Sequence, residues 1–123
     1  MHFIDPGTGG FYKGKDPNVS IEQLKEKWID DANVIYIGRA GGTAQNGKEC
    51  KSTLRIRIKQ YIKFGKGKNV GHCEGRYIWQ MADSKELLTA YKAIKKENPV
   101  LKERKLIKDF QEYYGLIPFA NLK

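Results

Sequence analysis

Asn33-Val-Ile-Tyr-Ile-Gly-Arg-Ala-Gly-Gly42, followed after a polar loop by Ser52-Thr-Leu-Arg-Ile-Arg-Ile-Lys-Gln-Tyr-Ile-Lys-Phe64, is the stretch on which the reading of this chain turns. Val34 to Ile37 is a short β-branched and aromatic run closed by Gly38, and it reads as a buried strand. The second half repeats with a helical period. At about 100° per residue, Leu54, Ile58, Tyr61, Ile62 and Phe64 share one broad stripe. Arg57 falls inside that stripe, between Tyr61 and Phe64, where solvation alone would not place it. A strand, a Gly-rich connection and a helix carrying an inward arginine make a candidate anion site.

Working outward, the 123 residues fit one domain, 1–123, with a core of its own. Lysine plus arginine is 23 against 14 aspartate plus glutamate, a formal charge of +9. Such an excess favours polyanionic partners, because each phosphate contact releases counterions. Cys50 and Cys73 stand apart without a CxxC spacing, so nothing suggests an exported disulfide scaffold. The N-terminal residues carry no basic and apolar leader pattern, and no run approaches the length of a membrane span. The expectation is a cytoplasmic protein without membrane attachment.

The turn-rich segment 5–10 leads into a short aromatic run at Gly10-Phe11-Tyr12, a candidate strand. Ser20 and Gln23 form a capping-box pattern, and Ile21, Leu24 and Trp28 give an inward face, predicting a helix over about 20–29. Gly42-Thr-Ala-Gln-Asn-Gly47-Lys48 matches seven positions of a phosphate-binding P-loop. The eighth, which should be Ser or Thr for Mg²⁺, is Glu49, and the NTPase reading is rejected. A helix over 52–64 and a basic loop over 65–72 follow, then an alternating run at Arg76–Met81 that predicts a strand. Asp83 and Glu86 cap a further predicted helix with Leu87, Leu88, Tyr91 and Ile94 inward. Asn98-Pro99 starts the last helix, striped by Leu106, Ile107, Phe110, Tyr113 and Tyr114 and stopped by Gly115. The apolar tail from Leu116 is expected to pack back. Three strands separated by helices predict a small mixed α/β (α+β) sheet flanked by helices.

Glu103 sits in the middle of the last helix's apolar stripe, and an isolated buried carboxylate is expensive. Two readings stay open: a structural ion pair, with Arg57 as one partner, or a single-carboxylate Mg²⁺ site completed by water and phosphate. His72 beside Cys73 has no second ligand pair at zinc-finger spacing. A histidine of that loop suits phosphate contact and inert exposure equally. Another metal nuclease built on Glu103-Arg104-Lys105 lacks an upstream aspartate partner.

Gly10-Phe11-Tyr12, Tyr36-Ile37-Gly38, Leu54-x-x-Arg57-Ile58, Glu103 with Leu106-Ile107, and Pro118-x-x-Asn121 together resemble the GIY-YIG nuclease family, in the family's order and across almost the whole chain. The resemblance implies a three-stranded antiparallel sheet flanked by helices that hydrolyses DNA phosphodiesters with one Mg²⁺ or Mn²⁺. Tyr12 and Tyr36 would project into the site, one helping to deprotonate the attacking water. Arg57 would steady the scissile phosphate, Glu103 would hold the metal, and Asn121 would assist. Three departures stand out. A helix-sized insertion separates Tyr12 from Tyr36, Gly-Phe-Tyr replaces Gly-Ile-Tyr so that Phe11 competes with Tyr12 for the inward position, and Tyr61 occupies a position often held by histidine. The proton acceptor is therefore open among Tyr12, Tyr61 and His72.

Arg39, Lys13, Lys15, Lys66 and Lys68 would form a basic rim that positions a nucleic-acid backbone without reading sequence. DNA is the expected partner, with RNA not excluded, and specificity falls to this domain, a homodimer or a partner chain. The alternative is a non-catalytic nucleic-acid-binding module with the same fold.

Overall fold

The computed structural model describes residues 2–7, 18–65 and 75–121. Its helices are α1 (Ile21–Lys27), α2 (Leu54–Gly65), the single-turn α3 (Gly75–Ile78) and α4 (Pro99–Tyr114), with a 3-10 turn at Ser84–Glu86. Helix α1 starts as its sequence dictates. Ser20 is extended, its Oγ accepts the Gln23 N–H at 3.2 Å, and Gln23 Oε1 accepts the Ser20 N–H at 3.2 Å. Asn98 caps α4 by accepting the Val100 N–H, Pro99 fills the first position, and Gly115 ends the helix in the left-handed conformation.

The expected three-stranded antiparallel sheet is not formed among the described residues. Among the described residues there is no strand, only two isolated antiparallel bridges, Phe3 with Met81 and Thr43 with Glu49. Val34 to Ile37 is irregular chain, and Val34 is 47 % exposed rather than buried. Arg76–Met81 forms α3 and a turn in place of a strand, with Met81 N–H bonded to Ile78 O at 2.9 Å. The candidate strand around Phe11 and Tyr12 lies outside the described residues.

The missing ladders have a physical replacement. A backbone N–H and C=O removed from water must be paired, and here side-chain carboxamides pair them. Gln80, 1 % exposed, accepts the Val19 N–H at 2.9 Å through Oε1 and donates through Nε2 to Val19 O at 2.9 Å and Ile4 O at 3.2 Å. Asn121 accepts the Ile37 N–H at 2.9 Å and donates to Ile37 O at 2.8 Å. Asn98 accepts the Thr43 N–H at 2.9 Å and donates to Thr43 O at 2.7 Å. Each amide offers one residue the donor and acceptor that a neighbouring strand would have offered.

The core assembles around these clamps. Leu24 of α1, Ile78 of α3, Met81, Phe119 and Ala120 are buried together. Phe3, Trp28 and Phe119 form a triangle of rings with centroids 5.2 to 5.9 Å apart, which favours edge and offset contacts. The C-terminal segment packs back as its composition suggests, with residues 118–121 all buried.

The helix expected after Asp83 reduces to the 3-10 turn. Asp83 makes no side-chain cap bond, residues 87–94 are irregular, and Leu88 and Tyr91 are 97 % and 77 % exposed. Without a cap or an apolar surface to cover, a short helix does not hold. The stripe of α4 is likewise only partly inward, since Ile107, Phe110 and Tyr114 are half-buried while Leu106 and Tyr113 are exposed.

Replacing the Gln80 clamp tests its weight. Gln80→Leu keeps apolar volume but leaves the buried polar groups of Val19 and Ile4 unpaired, and is expected to cost about 2–4 kcal/mol. Urea denaturation reads this as a lower midpoint at unchanged slope. An unchanged midpoint would mean that water replaces the amide without loss.

Candidate functional site

Tyr36 and Arg57 meet. Arg57, one turn into α2 with its N–H bonded to Thr53 O at 3.0 Å, points its Nη2 at the Tyr36 hydroxyl, 3.5 Å away. Both side chains are part-buried, so the inward placement of Arg57 is observed, although Leu54 and Ile62 of the same predicted stripe are exposed. The Tyr-Ile-Gly sequence explains how the phenol reaches its place. The Tyr36 ring folds back over Gly38, where an added Cβ would lie 2.5 Å from the hydroxyl oxygen and 2.6 Å from a ring carbon. Only glycine leaves that space.

Glu103, on α4, faces Arg39. Its Oε1 lies 3.9 Å from Arg39 Nε, an ion pair too long for a hydrogen bond, with the side chains 28 % (Arg39) and 24 % (Glu103) exposed. Arg39 Nη1 also donates to Gly41 O at 3.2 Å, so the guanidinium is braced by its own loop. The ion-pair reading of Glu103 is therefore realised with Arg39, which the sequence placed on the basic rim. Tyr36 and Arg39 are three residues apart, so their backbone positions lie within about 11 Å of each other.

The loop that carries Arg39 is fixed to the start of α4. Gly42, at φ +88°, lies against Asn98, and an added Cβ there would stand 2.6 Å from Asn98 Oδ1. The same oxygen accepts from Thr43 N–H and Val100 N–H. The P-loop-like segment closes on itself instead of opening toward a phosphate: Cys50 N–H bonds Gly42 O at 2.8 Å and Ala44 N–H bonds Lys48 O at 2.8 Å.

Asn121 holds the Tyr36 segment from beneath. Both ends of its carboxamide bind Ile37, which makes it a positioning residue for Tyr36 and Gly38. Tyr61 stacks on Trp79 with ring centroids 5.1 Å apart, and burial pushes its phenol up to about 12. That shift moves Tyr61 further from the pKa a base needs near neutrality. Tyr12, His72, Lys13, Lys15, Lys66 and Lys68 lie outside the described residues.

Among the described residues no group of three or more His, Cys, Asp or Glu side chains converges on one point. Glu103 by itself is a hard oxygen donor, a quarter exposed to water. That donor chemistry fits Mg²⁺, which takes one or two carboxylates and completes its shell with water and phosphate oxygen. Beside Glu103 a groove of about 430 Å³ is lined by Arg104, Ile107, Lys108, Gln111 and Ile117. Sequence reasoning missed the double role of Asn98, legible there as a helix cap alone, and the fixing of Arg39. No local signal announces a contact 55 residues away.

No helix among the described residues is long and apolar enough to cross a membrane. Comparison with protein-family models, with curated proteins and with solved structures finds no match to this chain.

The buried phenol sets an alkaline limit. The folded state keeps Tyr61 protonated to a higher pH than an unfolded chain does, so its contribution is whole below pH 10.0 and is lost as pH rises through about 12. Tyr61→Phe is expected to flatten the fall in melting temperature across that window. An identical fall in both proteins would assign the alkaline loss to other groups.

Proposed function

We propose that this chain, whose described residues form no sheet, is a metal-dependent endonuclease that hydrolyses DNA phosphodiester bonds with a GIY-YIG-type set of side chains. The observation that carries the reading is the Arg57 guanidinium held against the Tyr36 hydroxyl, with Arg39 and Glu103 on the adjoining loop and helix. A charge of +9 suits the polyanionic substrate.

In this reading Arg57 binds the scissile phosphate and meets the charge that grows on its oxygens as the bond breaks. Tyr36, packed over Gly38, orients the attacking water by hydrogen bond. Glu103 would hold Mg²⁺ or Mn²⁺, which when bound supplies electrostatic neutralisation at the phosphate. Arg39 faces the Glu103 carboxylate and helps to aim it. Asn121 fixes the peptide after Tyr36, so the phenol does not drift from Arg57.

Supercoiled plasmid with Mg²⁺ or Mn²⁺ is expected to be nicked, and EDTA or Glu103→Gln is expected to abolish nicking. Arg57→Ala should lower turnover roughly 10²- to 10³-fold if it stabilises the transition state, and Tyr36→Phe roughly 10²- to 10⁴-fold if the hydroxyl handles a proton. Near-wild-type cleavage by Arg57→Ala would remove it from the mechanism. The pairing of Glu103 with Arg39 favours a second reading, a nucleic-acid-binding module without catalysis; plasmid retardation without any cut would select it.

A further inference from the structure

The lysines of residues 92–108 fall into two groups. On α4, Lys105 Nζ lies 2.9 Å from Asp109 and Lys108 Nζ 3.9 Å from Glu112, each an exposed pair one turn apart. Lys92, Lys95, Lys96 and Lys102 instead line one groove of about 370 Å³, between the irregular chain before Asn98 and the first turns of α4. None of these four ammonium groups has an ion-pair partner among the described residues, and Glu97 is the one carboxylate of the groove. Four like charges around one depression repel one another, and a bound polyanion relieves that repulsion.

We propose that this groove is an exosite for the phosphodiester backbone of duplex DNA, outside the candidate active site. The inference rests on the polyanionic substrate of the reading above. Lys102 directly precedes Glu103 on α4, and the Asn98 clamp fixes the groove's edge to the loop carrying Arg39. Flexible point charges spread over residues 92–102 suit a row of phosphates, whereas a single anion calls for a converging guanidinium fork.

The test is duplex affinity as a function of salt, measured in EDTA with the full chain and a short duplex of arbitrary sequence. Four phosphate contacts predict that changing Lys92, Lys95, Lys96 and Lys102 to Ala together lowers the log–log salt slope by roughly 3–4. The same four changed to Arg are expected to keep the slope, which guards against a folding defect. A charge-matched control altering Lys25, Lys59, Lys85 and Lys105 should lower it by less than about one. An unchanged slope in the groove variant, or equal loss in the control, overturns the exosite. So does wild-type protein that shows no salt-dependent duplex binding. Loss of binding to phosphatidylserine vesicles with duplex binding intact would overturn it in favour of a lipid surface. A slope that falls in a protein that never cuts DNA would leave the exosite standing and remove the nuclease reading. Metal-dependent cutting with an unchanged slope would do the reverse.

Discussion

Three side-chain carboxamides carry the polar accounting of this fold. Gln80, Asn98 and Asn121 each bind the N–H and C=O of one distant residue, Val19, Thr43 and Ile37 respectively. A primary amide has the same donor and acceptor as a peptide group, so it can stand in for one rung of a ladder. What it does not supply is propagation. A strand neighbour satisfies residue after residue, whereas a carboxamide satisfies one and leaves its flanks to turns and single bonds such as Ala120 N–H to Ile35 O. The protein therefore buries irregular chain, which is tolerable only where each exposed peptide group has been met individually.

The same device organises the candidate site. Tyr36 and Arg39 lie on chain with no regular structure, and neither position is rigid by virtue of secondary structure. Asn121 fixes one side of the segment and Asn98 the other, so the geometry between Arg57 on α2 and Glu103 on α4 depends on two amides outside the reacting groups. Arg39 is then held by its own loop carbonyl at Gly41 and by the carboxylate across from it. Charge and constraint meet at one short loop.

Local chemistry was legible in the sequence and long-range chemistry was not. The Ser20–Gln23 box, the Asn98-Pro99 start, the Gly115 stop and the period of residues 54–64 all describe bonds within four residues, and helices stand at each. The β-branched run at Val34–Ile37 says only that its side chains suit an extended backbone. Whether a strand forms depends on a partner, and here Asn121 and Ala120 take that place. Arg76–Met81 misled for a related reason: the alternation of large residues was real, but Ile78, Gln80 and Met81 are all buried, which a two-sided strand spreads over opposite faces. Periodicity placed Arg57 inward and brought it to Tyr36. It gave no means of choosing between Arg57 and Arg39 as the partner of Glu103.

The span of these amide contacts shapes how the chain reaches its native state. Gln80 and Val19 are 61 residues apart, Asn121 and Ile37 are 84 apart, and Asn98 and Thr43 are 55 apart. Loop-closure entropy must be met before any of them forms, so such contacts belong late in folding, after the capped helices. During synthesis the Tyr36 segment leaves the ribosome long before residues 118–121 do. Until they arrive, the peptide groups of Ile35 and Ile37 are hydrated and the phenol has no fixed seat over Gly38. The Tyr36–Arg57 arrangement is thus completed only after residues 118–121 have been made.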